Sequence, residues 1–222
     1  MARSAAPDLS VERELMERFG GPVIGMDEAG RGAIAGPVAV GAVWVDPASA
    51  GVPSAELEGV RDSKLLSPAR REALYAGLKE GAVGAVGLAE ASEVDEHGIV
   101  SALRLAGMRA LEQLPAAAAV LLDGSHDWLS TPVQEDLFAA PVAGPELPVS
   151  VKTKADMACW SVAAASILAK VERDRLMEKL AQRLPGYGFE RHKGYGTAEH
   201  SAAVRERGLT GAHRRSWAIG GA

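Results

Sequence analysis

The chain has 222 residues, 47% hydrophobic and 24% charged, with a net charge of −5. That length allows one or two domains with a core large enough to need no disulfide staples, and a single cysteine, Cys159, excludes an internal disulfide framework and fits a reducing cytosol. No apolar stretch nears the roughly 18 residues that cross a bilayer, and the charged N-terminus lacks the apolar core of a signal peptide, so a cytoplasmic protein with no membrane partner is expected.

In chain order, residues 10–19 place Val11, Leu15 and Phe19 at helical spacing and stop at Gly20-Gly21, predicting a first helix. Residues 22–26 and the valine-rich residues 36–45 read as strands, with a turn at Ala29-Gly30-Arg31-Gly32 between them. Residues 46–62 read as loop. Ser67 before Pro68 opens a helix that runs to about Glu80. Residues 83–88 read as a strand, 94–114 as a long helix, 117–122 as a buried strand ending in Asp123-Gly124, and 148–151 as a further strand. Residues 156–184 are helical after the first few, Pro185-Gly186 breaks that pattern, and a last helix begins near Thr197. Strands alternating with helices predict an α/β fold with a partly parallel sheet.

Charge is unevenly distributed. Residues 1–150 hold 11 Lys and Arg against 22 Asp and Glu, a balance of −11, whereas residues 151–222 hold 13 against 7, a balance of +6. A basic third beside an acidic body suits a face for a phosphate backbone, and equally suits a solvated helical surface.

The densest chemical feature is Asp27-Glu28, which ends an apolar strand and meets a glycine turn. Two tandem acids beside a core repel each other unless a cation sits between them. Alone, such a pair is most simply a solvated turn. Asp123 changes the weighing, because it also follows an apolar strand, and acids at the ends of two strands can converge at one edge of an α/β sheet. Asp156 precedes the long helix, where the dipole alone favours an acid. Hard oxygen donors suit Mg²⁺ or Mn²⁺, and one cysteine with five unpaired histidines disfavours zinc. Gly30-x-Gly32-x-x-x-Gly36 superficially matches a dinucleotide fingerprint, but Pro37 and a strand follow where a helix is required. In the basic third, Tyr195 lies between Gly194 and Gly196 beside Lys193, an arrangement for stacking on a sugar or base, or for packing on the core.

Together these segments resemble ribonuclease HII over nearly the whole chain, from about Val23 to Trp217. The family's Asp-Glu-Ala-Gly-Arg-Gly stands at residues 27–32 and its Ala-Gly-Pro-Val at 35–38. Its Asp-Ser-Lys is Asp62-Ser63-Lys64, and its Asp-Gly after a strand is Asp123-Gly124. Its Ala-Ala-Ala-Ser-Ile-Leu-Ala-Lys-Val-x-Arg-Asp occupies residues 163–174, its His-Lys-Gly-Tyr-Gly-Thr residues 192–197, and its final His-Arg is His213-Arg214. Two positions depart from the pattern: Ala155 precedes Asp156 where the family usually has Gly, and Leu65 replaces a second lysine.

The resemblance implies an RNase H-like mixed sheet flanked by helices, with a small helical C-terminal region at about 185–222 that binds substrate, in one catalytic domain spanning 1–222. It implies that Asp27, Glu28, Asp123 and Asp156 are catalytic and hold two divalent ions, Mg²⁺ or Mn²⁺, about 4 Å apart. It implies that Gly30, Arg31 and Gly32 read the ribose 2′-hydroxyl, that Ser63, Lys64, Lys193 and Arg214 meet the substrate backbone, and that Tyr195 stacks on the neighbouring deoxyribose. The implied substrates are RNA–DNA hybrids and duplex DNA with embedded ribonucleotides, cut 5′ of the ribonucleotide to leave 5′-phosphate and 3′-hydroxyl ends, by a monomer. The alternative expectation is a nucleic-acid-binding protein on the same fold that has lost catalysis.

Overall fold

Valine-rich runs supply the centre of the molecule. In the computed structural model, which describes residues 6–46, 58–130 and 142–217, β1 (Val23–Ala29) pairs antiparallel with β2 (Val38–Val45). β2 pairs antiparallel with β3 (Val83–Ala89). On its other edge β1 runs parallel to β4 (Ala119–Asp123), and β4 runs parallel to β5 (Val149–Lys152). The order is β3-β2-β1-β4-β5, the mixed sheet that the alternation of strands and helices predicts.

Side-chain alternation gives the sheet two apolar faces. Val23, Val43 and Leu121 pack towards α1 (Ser10–Phe19), α2 (Pro68–Gly81) and the long α5 (Trp160–Arg183). Ile24, Met26, Val40 and Leu122 pack towards α3 (Ala91–Leu111). A third, smaller cluster joins Met177 of α5 to Tyr187, Phe189, Ala203 and Val204. Phe189 lies in the short α6 (Phe189–His192), and the latter two in α7 (Ala198–Arg207). This is the helical C-terminal region, anchored on the end of α5. Among the described residues no helix is long and apolar enough to cross a membrane.

Three elements depart from expectation for identifiable reasons. β1 runs on to Ala29, because β2 still pairs with it there: Asp27 faces Gly41 and Glu28 faces Val40, although the pairing with β4 has already ended. The long helix starts at Ala91, where Glu90 and Glu93 form a reciprocal capping box, and it breaks at Gly98, whose φ is 75°. The helix expected after the first few residues of 156–184 is α5 from Trp160, but those first residues form a single turn, α4 (Ala155–Ala158), with Cys159 extended between the two. Of the expected loop at 46–62, residues 47–57 lie outside the described residues; Ser63–Leu65 form a 3₁₀ turn capped by Asp62.

Helix α5 lies close against the sheet because the positions beneath it are small. A Cβ on Gly41 would collide with the Ala165 carbonyl, and one on Gly25 with the Ser161 hydroxyl. Backbone cannot give way as a flexible side chain can, so Gly41→Ala should cost about 1–3 kcal/mol, as overpacked cores do. Gly211→Ala, which meets nothing within 4 Å, should change stability by less than about 0.5 kcal/mol. Urea midpoints of the two variants check this; equal midpoints would show that α5 is not held at backbone distance.

Candidate active site

The parallel register of β1 and β4 builds the site. Met26 stands beside Leu122, so the next residues, Asp27 and Asp123, emerge together at the carboxyl ends of adjacent strands. Alternation turns both towards α5. Glu28 follows on the other face of β1, and Asp156 arrives on α4. Asp27 is buried, and its carboxylate accepts the Glu28 N–H at 2.8 Å. Asp123 accepts the N–H of Ala155 at 2.7 Å and of Asp156 at 3.4 Å, which ties the one-turn helix α4 to the end of β4. Asp156 is buried with Lys64 Nζ 3.9 Å away, and Glu28 has Arg31 at 3.6 Å.

Electrostatics couple the four acids. Burial, then the charges of Glu28, Asp123 and Asp156, push Asp27 well above the ordinary carboxylate range. Burial raises Glu28, partly offset by Arg31. Burial and then Asp123 raise Asp156 to about 6. Burial opposes the charge on Lys64, but Asp62, Asp27, Asp156 and Asp123 outweigh it and raise the amine overall. The carboxylates stand apart rather than closing into a cage: among the described residues no three His, Cys, Asp or Glu form a group that could hold an ion. The geometry explains the spread. Each of Glu28, Asp123 and Asp156 is drawn to a separate donor, and like charges repel where no cation separates them. An oxygen-only set of four coupled carboxylates, one of them buried against three others, is the chemistry a hard divalent cation fits.

The glycine turn is held from inside by two arginines. Gly30 has φ 82°, and a Cβ there would collide with the Arg173 guanidinium. Arg214 is 0% exposed. It donates to the carbonyls of Gly30 at 2.8 Å, Arg31 at 2.9 Å and Gly36 at 3.1 Å. Arg173 donates to Pro37 at 2.8 Å, Lys193 at 2.9 Å and Ala35 at 3.2 Å. Burial, with Arg173 nearby, lowers Arg214 to about 10, so it stays charged at neutral pH.

This corrects part of the sequence reading. Arg214 offers no face to a phosphate; it braces the glycine turn instead. Lys193 is largely enclosed and spends its amine on Glu178 at 2.6 Å and the Glu190 carbonyl at 2.8 Å. Ser63 is buried, and its hydroxyl accepts from Ser166 at 2.8 Å. By contrast Arg31 and Lys64 are exposed, and a Cβ on Gly32 would meet nothing within 4 Å. Tyr195 is 38% exposed, with Arg173 Cζ 5.4 Å from the ring centroid. Gly194 is required beneath it, since a Cβ would collide with the Ala35 carbonyl. Sequence reasoning missed Arg173 and Ser166. A signal existed for Arg173: it shares a helical stripe with Ala169, Met177 and Leu180, where a charge is out of place unless it has buried partners.

A carboxyl whose folded value lies above its unfolded one prefers the protonated form when folded. For Asp156 that contribution is complete below its ordinary value near 3.8 and is lost as pH rises through about 6. In EDTA, stability should therefore fall across this window, and Asp156→Asn should flatten the fall. Urea titrations from pH 4 to 7 on both proteins check it; a variant with the wild-type slope would contradict the assignment.

Known proteins share both the sequence and the frame. The profile of the ribonuclease HII family matches residues 24–219. A ribonuclease HII of Thermus thermophilus is 47% identical over 88% of this chain and 86% of its own. That of Roseiflexus castenholzii is 43% identical over 96% of this chain and 89% of its own. The crystal structure of the ribonuclease H2 from Pyrococcus horikoshii matches with a TM-score of 0.67 and 28% identity, covering 90% of this chain and 95% of that one. A profile match across nearly the whole chain, laid on a sheet whose strand ends gather the motif acids, places this chain in the ribonuclease HII family of metal-dependent endoribonucleases.

Proposed function

We propose that this chain hydrolyses the RNA strand of RNA–DNA hybrids and incises on the 5′ side of a ribonucleotide embedded in duplex DNA, leaving 5′-phosphate and 3′-hydroxyl ends. The observation that carries this reading is the emergence of Asp27 and Asp123 side by side, one residue beyond the last Met26–Leu122 pair of adjacent parallel strands, with Glu28 and Asp156 coupled to them electrostatically. These four side chains would hold two divalent ions, Mg²⁺ or Mn²⁺. When bound, such ions activate water and stabilise the leaving oxygen of a phosphodiester.

The chain's own residues would place the substrate. The turn at Gly30, Arg31 and Gly32, braced by Arg214 and Arg173 from behind, presents rigid backbone to a ribose, and the open space at Gly32 lets a sugar approach. Lys64, exposed and 3.9 Å from Asp156, can meet a backbone phosphate next to the acids. Lys152 stands opposite Asp123 in the sheet register, and Lys154 is exposed just before Asp156. These cations, rather than Lys193 and Arg214, supply the phosphate contacts. Tyr195, bridged to Ala33 just after the glycine turn, presents the exposed part of its ring there and stacks on the deoxyribose after the ribonucleotide.

Cleavage of a duplex DNA carrying one ribonucleotide tests the reading. Wild-type protein should cut 5′ of the ribonucleotide with Mg²⁺ or Mn²⁺, should not cut all-DNA duplex, and should stop in EDTA. Asp123→Asn keeps the side-chain shape and removes a charge, so it should lower turnover at least about 100-fold, as loss of a strong electrostatic contribution does, with melting temperature unchanged or raised. Near-normal turnover in Asp123→Asn would remove Asp123 from the site. Binding without cleavage in the wild type would favour a protein that has lost catalysis.

A further inference from the structure

Three histidines of the C-terminal region are buried together against the loop that carries Tyr195, and the proposed chemistry uses none of them. His192 and His200 stack at 4.4 Å, and His200 Nε2 lies 3.1 Å from His213 Nε2. The surrounding backbone fixes where the protons sit. The Tyr195 carbonyl, 3.0 Å from His200 Nδ1, can only accept, so that nitrogen carries hydrogen and His200 Nε2 is bare. The Thr210 N–H points at His213 Nδ1 at 3.0 Å, so that nitrogen is bare and His213 Nε2–H donates to His200. His192 likewise takes the Gly194 N–H on Nδ1 at 3.2 Å and donates from Nε2 to the Tyr187 carbonyl at 2.7 Å. In this arrangement every donor faces an acceptor.

We propose that His200 and His213 are positioning residues: a hydrogen-bond relay from the Thr210 backbone through His213 and His200 to the Tyr195 carbonyl fixes how Tyr195 meets the junction between ribonucleotide and deoxyribonucleotide. This rests on the reading of Tyr195 as the recognition ring. The two histidine nitrogens bond each other directly, which leaves no position for an ion between them. The relay is one-way, since an added proton on either accepting nitrogen would face an N–H. The surroundings keep such a proton off. Burial, then His200 and Arg215, hold His213 down at about 4. Burial and His192 lower His200, against Glu199 and the Tyr195 carbonyl. Phe189 closes the cluster edge-on against His192 and His200. Thr197 caps α7 by accepting the His200 N–H at 3.2 Å, so the helix that carries the relay starts where the tyrosine loop ends.

The test combines kinetics with imidazole ¹⁵N NMR on the whole chain. The wild-type spectrum should show hydrogen on Nδ1 of His200 and on Nε2 of His192 and His213, with His213 neutral down to about pH 4. The reverse tautomer at His200 or His213 overturns the relay whatever the kinetics. Tyr195→Ala should cut incision at a single ribonucleotide roughly 5- to 150-fold, the worth of one stacking contact, and cut a long hybrid less, because a hybrid offers many registers. Tyr195→Phe should retain activity. His200→Leu should reproduce that substrate bias, and Tyr195→Ala with His200→Leu should lose no more than Tyr195→Ala alone. His200→Asn, whose amide can donate where Nδ1–H does, should recover most of the loss. Tyr195→Ala without bias overturns the reading of Tyr195. Bias in Tyr195→Ala but none in His200→Leu, or equal loss on both substrates in His200→Leu with no rescue by Asn, overturns the relay and leaves that reading standing.

Discussion

Mutual repulsion of carboxylates at the end of a sheet is the constraint around which this molecule is built. Two adjacent parallel strands must end on acids for Asp27 and Asp123 to meet, and burial makes that meeting costly. The protein offsets the cost by tying each acid to the frame. Backbone N–H groups of α4 hold Asp123, the Glu28 N–H holds Asp27, and Lys64 sits against Asp156. The frame itself is stiff because α5 lies on glycines rather than on side chains, with Gly25 and Gly41 admitting its backbone. A site whose ligands repel one another needs such stiffness, since a loose sheet would relieve the repulsion by letting the strand ends part.

A second constraint organises the surface beside the acids. Arg173 and Arg214 are both buried and spend their donors on backbone carbonyls of the turn at 30–37 and the loop at 193. Backbone carbonyls converging on a guanidinium are well matched to its five donors. The result is one unit in which the glycine turn, the tyrosine loop and the histidine cluster are joined by hydrogen bonds. Backbone bridges between Ala33 and Tyr195 and between Ala35 and His213 close it. Fixing the turn from behind leaves its front open, with space around Gly32.

Much of this was legible in the sequence. Apolar runs ending in Asp27 and Asp123 announced strand ends, and the alternation of elements announced a mixed α/β sheet. The sequence was misleading where burial decides the role of a charge. Arg214 and Lys193 stand in a basic segment and read as phosphate contacts, yet one satisfies three carbonyls and the other pairs with Glu178. No count of charges separates a buried clamp from a surface cation. The meeting of the three buried histidines was equally invisible: they are spread over 22 positions, one in α6, one in α7 and one in the segment after it. Strand β1 ran past its predicted end because its length is set by pairing with β2, a partner that local pattern does not reveal.

The most direct test of the central claim is calorimetric titration of the substrate-free protein with Mn²⁺, paired with its melting temperature. Four repelling carboxylates predict saturable binding, release of protons as Asp27 and Asp156 ionise, and a melting temperature that rises with the ion. Asp27→Asn should abolish most of that binding and most of that rise. Binding and stabilisation by Mn²⁺ that are unchanged in Asp27→Asn would contradict the account.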